Sequence, residues 1–221
     1  MSATTQANFA VRPVGEIAAA LPGATAIFRR HKLDFCCGGN VPLAEAAAAR
    51  GASLPALEAE LAALAQDKLT PPRETDALIA LIETRYHATH RRELPELIRL
   101  ARRVEAVHGD KPEAPRGLAD LLQTMAAELE EHMQKEEQVL FPLMRRGGHK
   151  MIAHPIGMMR HEHDGHGEHL RALEALTGGG VPPAGACNTW RALYAGTSKL
   201  AEDLMEHIHL ENNILFPRFD A

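Results

Sequence analysis

Aromatic residues and cysteines are scarce in this chain. Its 221 residues include one Trp, two Tyr, six Phe and three Cys. An odd number of cysteines, two of them adjacent, does not make the framework of a disulfide-stapled secreted protein. The cysteine content therefore favours a protein that works in the reducing cytoplasm.

Long apolar runs and long basic stretches are also missing. No segment approaches the roughly 20 apolar residues that span a membrane. The first residues, Met1 to Gln6, lack the charged start and apolar core of a signal peptide. The net charge is −5, and no basic patch indicates nucleic-acid binding. We therefore expect a cytoplasmic protein with neither a membrane nor a nucleic-acid partner.

Alanine and leucine, in contrast, are abundant. Hydrophobic residues make up 45% of the chain, and Ala and Leu dominate them. Both are strong helix formers, so the composition predicts an all-α protein.

A short motif occurs twice. His132 and Glu136 form one H-x-x-x-E pattern, and His207 and Glu211 form another 75 residues later. In each copy, L-F-P begins eight residues after the His. Spacing of four residues places the two side chains of each pair on one helix face. An imidazole and a carboxylate together are ligands that iron, zinc or manganese accepts.

The repeat extends upstream of both copies. His87 precedes the first copy and His163 precedes the second, 76 residues apart. The C-terminal two thirds therefore looks like a duplicated pair of helices, one with a single His and one with H-x-x-x-E. Four such helices in up-down order would direct these groups into one bundle core, where this architecture builds metal sites.

Periodicity and helix breakers locate the four long helices. We predict them at about residues 75–107, 115–144, 155–176 and 183–216. Pro95 predicts a kink in the first helix. The His and Glu of both motifs fall on the apolar, Leu-rich stripe of their helices.

Inward-facing carboxylates need a compensating charge, because burying an unpaired one costs several kcal/mol. A metal pair supplies that charge. We predict two metals roughly 3.5–4 Å apart, bridged by the two carboxylates. Buried salt bridges are the competing interpretation, which suits an isolated His better than a duplicated set. The predicted ligands are His87, His132, Glu136, His163, His207 and Glu211.

Two acidic residues lie beside the predicted ligands. Glu128 is one turn before His132, and Glu162 directly precedes His163. Either carboxylate could orient a ligand or carry protons, and a solvated helix face explains each equally well. We expect three more histidines to lie in solvent or behind the ligands: His90, His166 and His209.

The N-terminal third is expected to form a separate module. We divide the chain into a tail (1–12), a small helical domain (13–66), a linker (67–73) and a four-helix domain (74–221). Breaks at Pro and Gly separate the short helices of the small domain.

Cys36 and Cys37 lie in a glycine-rich turn of the small domain. A disulfide between neighbours closes a strained ring, so thiols are the default. Redox exchange, thiolate binding of a metal, contact with a partner and simple packing all remain open for this pair. Cys187, early in the fourth predicted helix, is expected in the core.

The ligand order indicates the type of metal site. Ferritin-like di-iron bundles use Glu-x-x-His, whereas His comes first here and the spacing is four. This order resembles hemerythrin-like bundles. The sequence L-D-F-C-C-G-G at residues 33–39, placed before such a bundle, resembles the iron-sulfur cluster repair di-iron proteins, the repair of iron centres family. The similarity covers about residues 13–219.

The resemblance implies a cofactor and a function. It implies two non-haem iron ions with oxo and carboxylate bridges on the six predicted ligands. It also implies a cytoplasmic protein, induced by oxidative or nitrosative stress, that repairs damaged iron-sulfur clusters by donating iron. The implied partners are damaged or apo iron-sulfur proteins, with nitric oxide or oxygen as the small-molecule ligand.

Two other functions stay open. The chain is either a repair protein, an enzyme that reduces nitric oxide at the di-iron site, or a sensor of nitric oxide or oxygen. Oxygen-carrying hemerythrins use a fifth His, whereas the matching motifs here offer four His and two Glu. That difference favours release of iron, or attack by a small gas, over reversible oxygen carriage. The sequence leaves open whether the chain forms a homodimer.

Overall fold

The structure, a computed structural model, describes residues 9–21, 23–64, 71–148 and 151–220. The first eight residues of the predicted tail and the first four of the predicted linker lie outside these ranges. The described residues contain no β-strand, only one antiparallel bridge between Pro13 and Pro42. The predicted all-α class is therefore confirmed. Within the described part of the chain, no helix is long and apolar enough to cross a membrane.

The chain divides into two compact units. One unit is Met1–Arg73 together with Met205–Ala221, and the other is Glu74–Leu204. The boundary at Leu204 falls inside one continuous helix, so the last turns of that helix belong to the first unit. The domain boundaries drawn from the sequence stay a prediction.

The first unit contains four short helices. They are α1 (Val14–Ala20), α2 (Ala24–Arg30), α3 (Leu43–Ala49) and α4 (Leu54–Ala63). Proline sets two of the starts, because Pro13 and Pro42 are the residues that precede α1 and α3 and have extended ψ angles of 136° and 144°.

The core of the first unit is aromatic and aliphatic. Phe28 of α2 and Phe35 of the α2–α3 loop are fully buried, with ring centroids 6.0 Å apart. The C-terminal segment packs into the same unit. The side chains of Asn212 and Asn213 donate to the carbonyls of Cys36 and Phe35. The two cysteines therefore lie in a loop whose backbone is held by the end of the chain.

The second unit is built from long helices. Chain order gives α5 (Thr75–Leu81), α6 (Ala88–His108), α7 (Leu118–Lys135), α8 (Phe141–Arg145), α9 (Ala153–Leu176) and α10 (Asn188–Leu210), the last of which ends in the first unit. Contacts within this unit show that neighbouring helices are antiparallel. Arg102 reaches Gln123 and Arg91 reaches Glu130 between α6 and α7, so one helix ascends as the other descends.

The same antiparallel order relates α6 and α10. Lys199 contacts Glu93, and a Cβ on Gly196 would lie 2.5 Å from the Leu97 side chain. Gly196 therefore leaves room for the Leu97 side chain between the two helices. The up-down order predicted for the bundle is confirmed by these pairs.

Three of the four predicted long helices are interrupted by a π-helical turn. The turns are π1 (Ile82–His87), π2 (Glu136–Leu140) and π3 (Glu211–Leu215), and only α9 has none. Periodicity could not locate them, because one extra residue in a turn leaves the apolar spacing of three or four almost unchanged. α6 continues through Pro95, the residue at which the sequence predicts a kink.

Candidate metal centre

The first H-x-x-x-E motif lies at the junction of α7 and π2. His132 is in the last turn of α7 and Glu136 begins π2, so both point to one face. His132 Nε2 lies 3.5 Å from Glu136 Oε1. Both side chains are buried, with exposed fractions of 1% and 0%. A carboxylate this deeply buried requires positive charge beside it.

Two other helices of the second unit bring histidines to the same place. His163 Nε2 of α9 lies 3.1 Å from His132 Nε2. His87 Nε2, at the end of π1, lies 3.4 Å from Glu136 Oε2. The two oxygens of Glu136 therefore face different imidazoles, which is the placement that a carboxylate bridging two metals needs. The ligand atoms of His132, Glu136 and His163 all lie within 4.8 Å of one another.

The second H-x-x-x-E motif has the same local geometry in the first unit. His207 Nε2 of α10 lies 3.0 Å from Glu211 Oε1 at the start of π3. Both residues are completely buried. Each motif thus presents one imidazole and one carboxylate side by side at an α-to-π junction.

Two acidic residues fix the orientation of the imidazoles in the second unit. Glu137 Oε1 lies 2.7 Å from His87 Nδ1, and Glu162 Oε2 lies 2.9 Å from His132 Nδ1. Each carboxylate therefore accepts the Nδ1–H and leaves the Nε2 lone pair directed toward Glu136. This is the usual arrangement for metal-binding histidines. The sequence singled out Glu162 but missed Glu137, whose only sequence signal is its place directly after Glu136.

Cations hold these two carboxylates in the ionised state. Burial alone raises the pKa of Glu137, but hydrogen bonds from Arg91 and His87 outweigh it and the net pKa is lowered. The hydrogen bond from His132, against the opposing effect of burial and with help from Lys135, lowers the pKa of Glu162 to about 2. Both groups are therefore acceptors at neutral pH.

The three remaining histidines near the motifs are buried, so of the two places expected for them, solvent and a position behind the ligands, solvent does not apply. His90, His166 and His209 have exposed fractions of 1%, 4% and 1%. The His166 ring lies edge-on to that of His132, with centroids 5.1 Å apart. His209 packs against Phe35 in the first unit, and burial lowers its pKa to about 4. The angular position of each histidine on its helix predicted that its ring lies off the ligand face. It could not predict which residues cover the ring.

Two other residues singled out from the sequence are exposed to solvent. Glu128 has a side chain that is 53% exposed and lies 3.5 Å from His169 Nδ1. Cys187, expected in the core, is exposed, and its sulfur lies 3.3 Å from His108 Nε2. The reason is that α10 begins only at Asn188, so Cys187 belongs to the preceding loop.

Cys36 and Cys37 are thiols with their sulfurs 3.7 Å apart. The backbone N–H groups of both donate to Asp34 Oδ1, at 3.2 and 3.0 Å. The hydrogen bond with Cys37 and burial together raise the pKa of Cys36 well above its ordinary value. Cys36 is buried, whereas Cys37 and Asp34 are half-buried.

The donor set of the two motifs fits iron. Imidazole nitrogen and carboxylate oxygen are ligands of intermediate and hard character, and iron accepts both. In the second unit, the Nε2 atoms of His87 and His132 lie near the Glu136 carboxylate, and the Nε2 atom of His163 lies beside that of His132. No thiolate competes there, because the described cysteines are Cys36, Cys37 and Cys187, none of which is among these donors.

Comparison with known proteins identifies both parts of the chain. A family model described as the hemerythrin HHE cation binding domain matches residues 79–219. Another, described as a domain of unknown function (DUF542), matches residues 10–65. The iron-sulfur cluster repair protein YtfE of Yersinia pseudotuberculosis serotype O:1b (strain IP 31758) is 50% identical over 213 residues, which are 93% of this chain and 95% of the relative. The protein of that name from Yersinia pestis (strain Pestoides F) is 49% identical over the same shares. The chain therefore belongs to the iron-sulfur cluster repair proteins that combine an N-terminal DUF542 domain with a hemerythrin domain.

Proposed function

We propose that this chain repairs damaged iron-sulfur clusters by donating iron from a di-iron centre. The observation that carries the proposal is Glu136, a buried carboxylate whose two oxygens face the Nε2 atoms of different histidines. Two metals on opposite sides of that carboxylate match this placement. The proposed ligands are His87, His132, Glu136, His163, His207 and Glu211.

The second motif supports two equivalent halves of the centre. His207 and Glu211 repeat the spacing, the burial and the α-to-π junction of His132 and Glu136. With two bridging carboxylates, each iron would have two imidazoles and would keep open coordination positions. When bound, the irons would supply redox and Lewis-acid chemistry at those positions, with oxo bridging as part of the proposed cofactor.

Iron is also the cargo in this proposal. Four imidazoles for two metals hold iron less firmly than a site with more nitrogen ligands, which suits release to an acceptor. The proposed acceptors are damaged or apo iron-sulfur proteins of the cytoplasm, under oxidative or nitrosative stress. The names of the relatives support the repair function, since both are called iron-sulfur cluster repair proteins.

Metal analysis with Mössbauer spectroscopy tests the centre directly. Protein purified without added metal should contain about two irons per chain, consistent with the two-metal arrangement, and should show a coupled pair. One uncoupled iron per chain, or tightly held zinc, would overturn the di-iron proposal.

Iron transfer tests the donor function separately. Iron-loaded protein, labelled with ⁵⁷Fe, should pass the label to an apo iron-sulfur protein and restore its activity. Catalytic consumption of nitric oxide with the label retained would favour an enzyme instead. A gas-dependent spectral change with neither turnover nor transfer would favour a sensor.

A further inference from the structure

A second cluster of metal-binding groups lies in the first unit, apart from the hemerythrin motifs in sequence. Asp34, Cys36 and Cys37 place one carboxylate oxygen and two sulfurs within 4.8 Å of one another. All three belong to the loop between α2 and α3. The cysteine pair has no task in the di-iron centre proposed above, so the cluster needs its own explanation.

The spacing of the three ligand atoms matches a tetrahedral metal site. Metal–sulfur bonds of about 2.3 Å at tetrahedral angles put two sulfurs about 3.8 Å apart, and the Cys36 and Cys37 sulfurs are 3.7 Å apart. With a metal–oxygen bond of about 2.0 Å, sulfur and oxygen would be about 3.5 Å apart. The Cys36 sulfur lies 3.4 Å from Asp34 Oδ1.

The loop is held in this shape by groups outside the cluster. Asn212 and Asn213 donate to the backbone carbonyls of Cys36 and Phe35. Gly39 allows the close approach, because a Cβ there would lie 2.9 Å from Phe35 O and 3.2 Å from Asn213 Oδ1. The ligand atoms are therefore brought together by packing, and an ion does not have to order the loop when it binds.

We propose that Asp34, Cys36 and Cys37 form a second metal site that binds one thiophilic divalent cation, Zn²⁺ or Fe²⁺, in exchangeable form. Two thiolates select a thiophilic ion, and the carboxylate is a third ligand that both ions accept. On binding, the cation displaces the two thiol protons to solvent and forms two metal–sulfur bonds. Three protein ligands leave the fourth position open, which is the pattern of reactive sites rather than closed structural ones.

The burial of the three groups fits an exchangeable site. Cys36 is buried, but Cys37 and Asp34 are half-buried, so an ion can enter and leave from their side. If the proposed donor function holds, this site gives ferrous iron a place to bind in transit, and thiolate exchange with a cysteine-rich acceptor would then remove it. The metal site itself does not depend on that function.

Cobalt titration of the full-length, iron-loaded chain tests the site. Co²⁺ bound by thiolates gives an intense sulfur-to-metal charge-transfer band, which the His and Glu ligands of the bundle cannot produce. The expected result is such a band, saturating at one Co²⁺ per chain, with two protons released. Cys36→Ser and Cys37→Ser should each weaken binding by at least about tenfold, as even indirect partners of a metal do.

The matched controls use the same chain. Cys187→Ser should leave the cobalt band unchanged, because Cys187 is exposed and outside the cluster. Asp34→Asn keeps an oxygen that can accept the two backbone N–H groups but removes the charge. It should therefore preserve the loop conformation while lowering the affinity for Co²⁺ by at least about tenfold. It therefore tests the ligand set even where a serine variant misfolds.

Several outcomes would overturn the proposal. They are no charge-transfer band in the wild type, a band that survives in both Cys36→Ser and Cys37→Ser, or unchanged affinity in Asp34→Asn. In Mössbauer spectra of the same samples, the coupled iron pair reports on the bundle, because a single iron at the cysteine site would be uncoupled. A missing coupled iron pair would therefore refute the di-iron centre and leave the thiolate site standing. A missing cobalt band would refute the thiolate site and leave the di-iron centre standing.

Discussion

Glu136 directs one carboxylate oxygen toward His87 and the other toward His132. Replacing a carboxylate buried in that way with a neutral side chain removes the negative charge that its surroundings balance, and so changes which cations they can hold. In the proposed centre, the imidazoles around it could still bind a metal, but nothing would hold two metals together from that side.

The first prediction therefore concerns nuclearity. Glu136→Leu and Glu211→Leu should each abolish the coupled iron pair, since each proposed bridge contacts both metals. His163→Leu should weaken one iron more than the other. Mössbauer spectra and iron content of the three variants decide the matter, and an unchanged coupled spectrum in both Glu variants would show that they do not bridge.

The second prediction concerns the carboxylate that orients His87. Glu137→Gln should lower iron affinity by about 10- to 100-fold, because it removes the charged acceptor from His87 Nδ1. Glu130→Gln is the matched control, since Glu130 also accepts hydrogen bonds from Arg91 and from Gln134, neither of which is a proposed ligand. Iron-chelator competition measures both, and equal losses would trace the effect to Arg91 instead.

Spacing in the sequence was enough to single out the six proposed ligands, because neither a four-residue step on a helix nor a repeat of 75 or 76 residues needs tertiary information to be recognised. The partner of His87 could not be found that way. Glu137 of π2 reaches it across 50 positions of sequence through a side-chain contact. The burial of His209 depends likewise on Phe35, far away in the chain.

At the scale of elements, the helices differ in how closely they approach their neighbours, and two glycines show the contrast. A Cβ on Gly15 of α1 would lie 2.7 Å from Asn213 Oδ1 and 3.0 Å from Gly39 Cα. A Cβ on Gly157 of α9 would meet no atom within 4 Å. One glycine is thus required by packing, whereas the other only weakens its helix.

The third prediction follows from that contrast. Gly15→Ala should lower the free energy of unfolding, because the backbone of Gly39 cannot move away cheaply. Gly157→Ala should raise it by about 0.5–1 kcal/mol, the usual gain for Ala over Gly inside a helix. Denaturant unfolding of apo protein measures both changes, and a stabilised Gly15→Ala variant would contradict the packing described around the cysteine loop.

Helix positions were largely predictable from the sequence, and helix interruptions were not. Leu and Ala at steps of three or four located all four long helices. The predicted starts at Pro115 and Pro183 were early, since α7 begins at Leu118 and α10 at Asn188. At these two helices, proline marks the approach to the helix but does not determine its first turn.

For the molecule as a whole, we expect the buried carboxylates to make stability depend on the proposed metals. Without a cation, Glu136 and Glu211 add the cost of buried acidic groups to the folded state. The fourth prediction is that removing iron lowers the melting temperature at neutral pH, because a metal that binds the native state stabilises it. Calorimetry of apo and iron-loaded protein tests this, and identical melting would argue against a buried charged site.

Acid should destabilise the apo chain through a separate group. Burial alone raises the pKa of Asp203, but hydrogen bonds from Arg85 and Lys199 outweigh it, so the net pKa lies below the ordinary 3.8. The stabilisation is therefore complete above that value and is lost as pH falls through the lowered pKa.

The fifth prediction uses this pair of contacts. In apo protein, Asp203→Asn should reduce the loss of stability on acidification below pH 3.8, the ordinary pKa of this carboxyl. Unfolding curves at several pH values provide the comparison, and parallel profiles for wild type and Asp203→Asn would exclude the Asp203 contacts as the cause.

The positions of the π-helical turns bear on how the two halves of the repeat arose. A turn of this kind arises when one residue is inserted into an α-helix. π2 and π3 begin at the Glu of their motifs and end at the Leu of L-F-P, so the two insertions occupy the same place. The simplest history is a single insertion in an ancestral half-length gene, copied when that gene was duplicated. π1 has no counterpart in α9, which dates the difference between those two helices to the time after duplication.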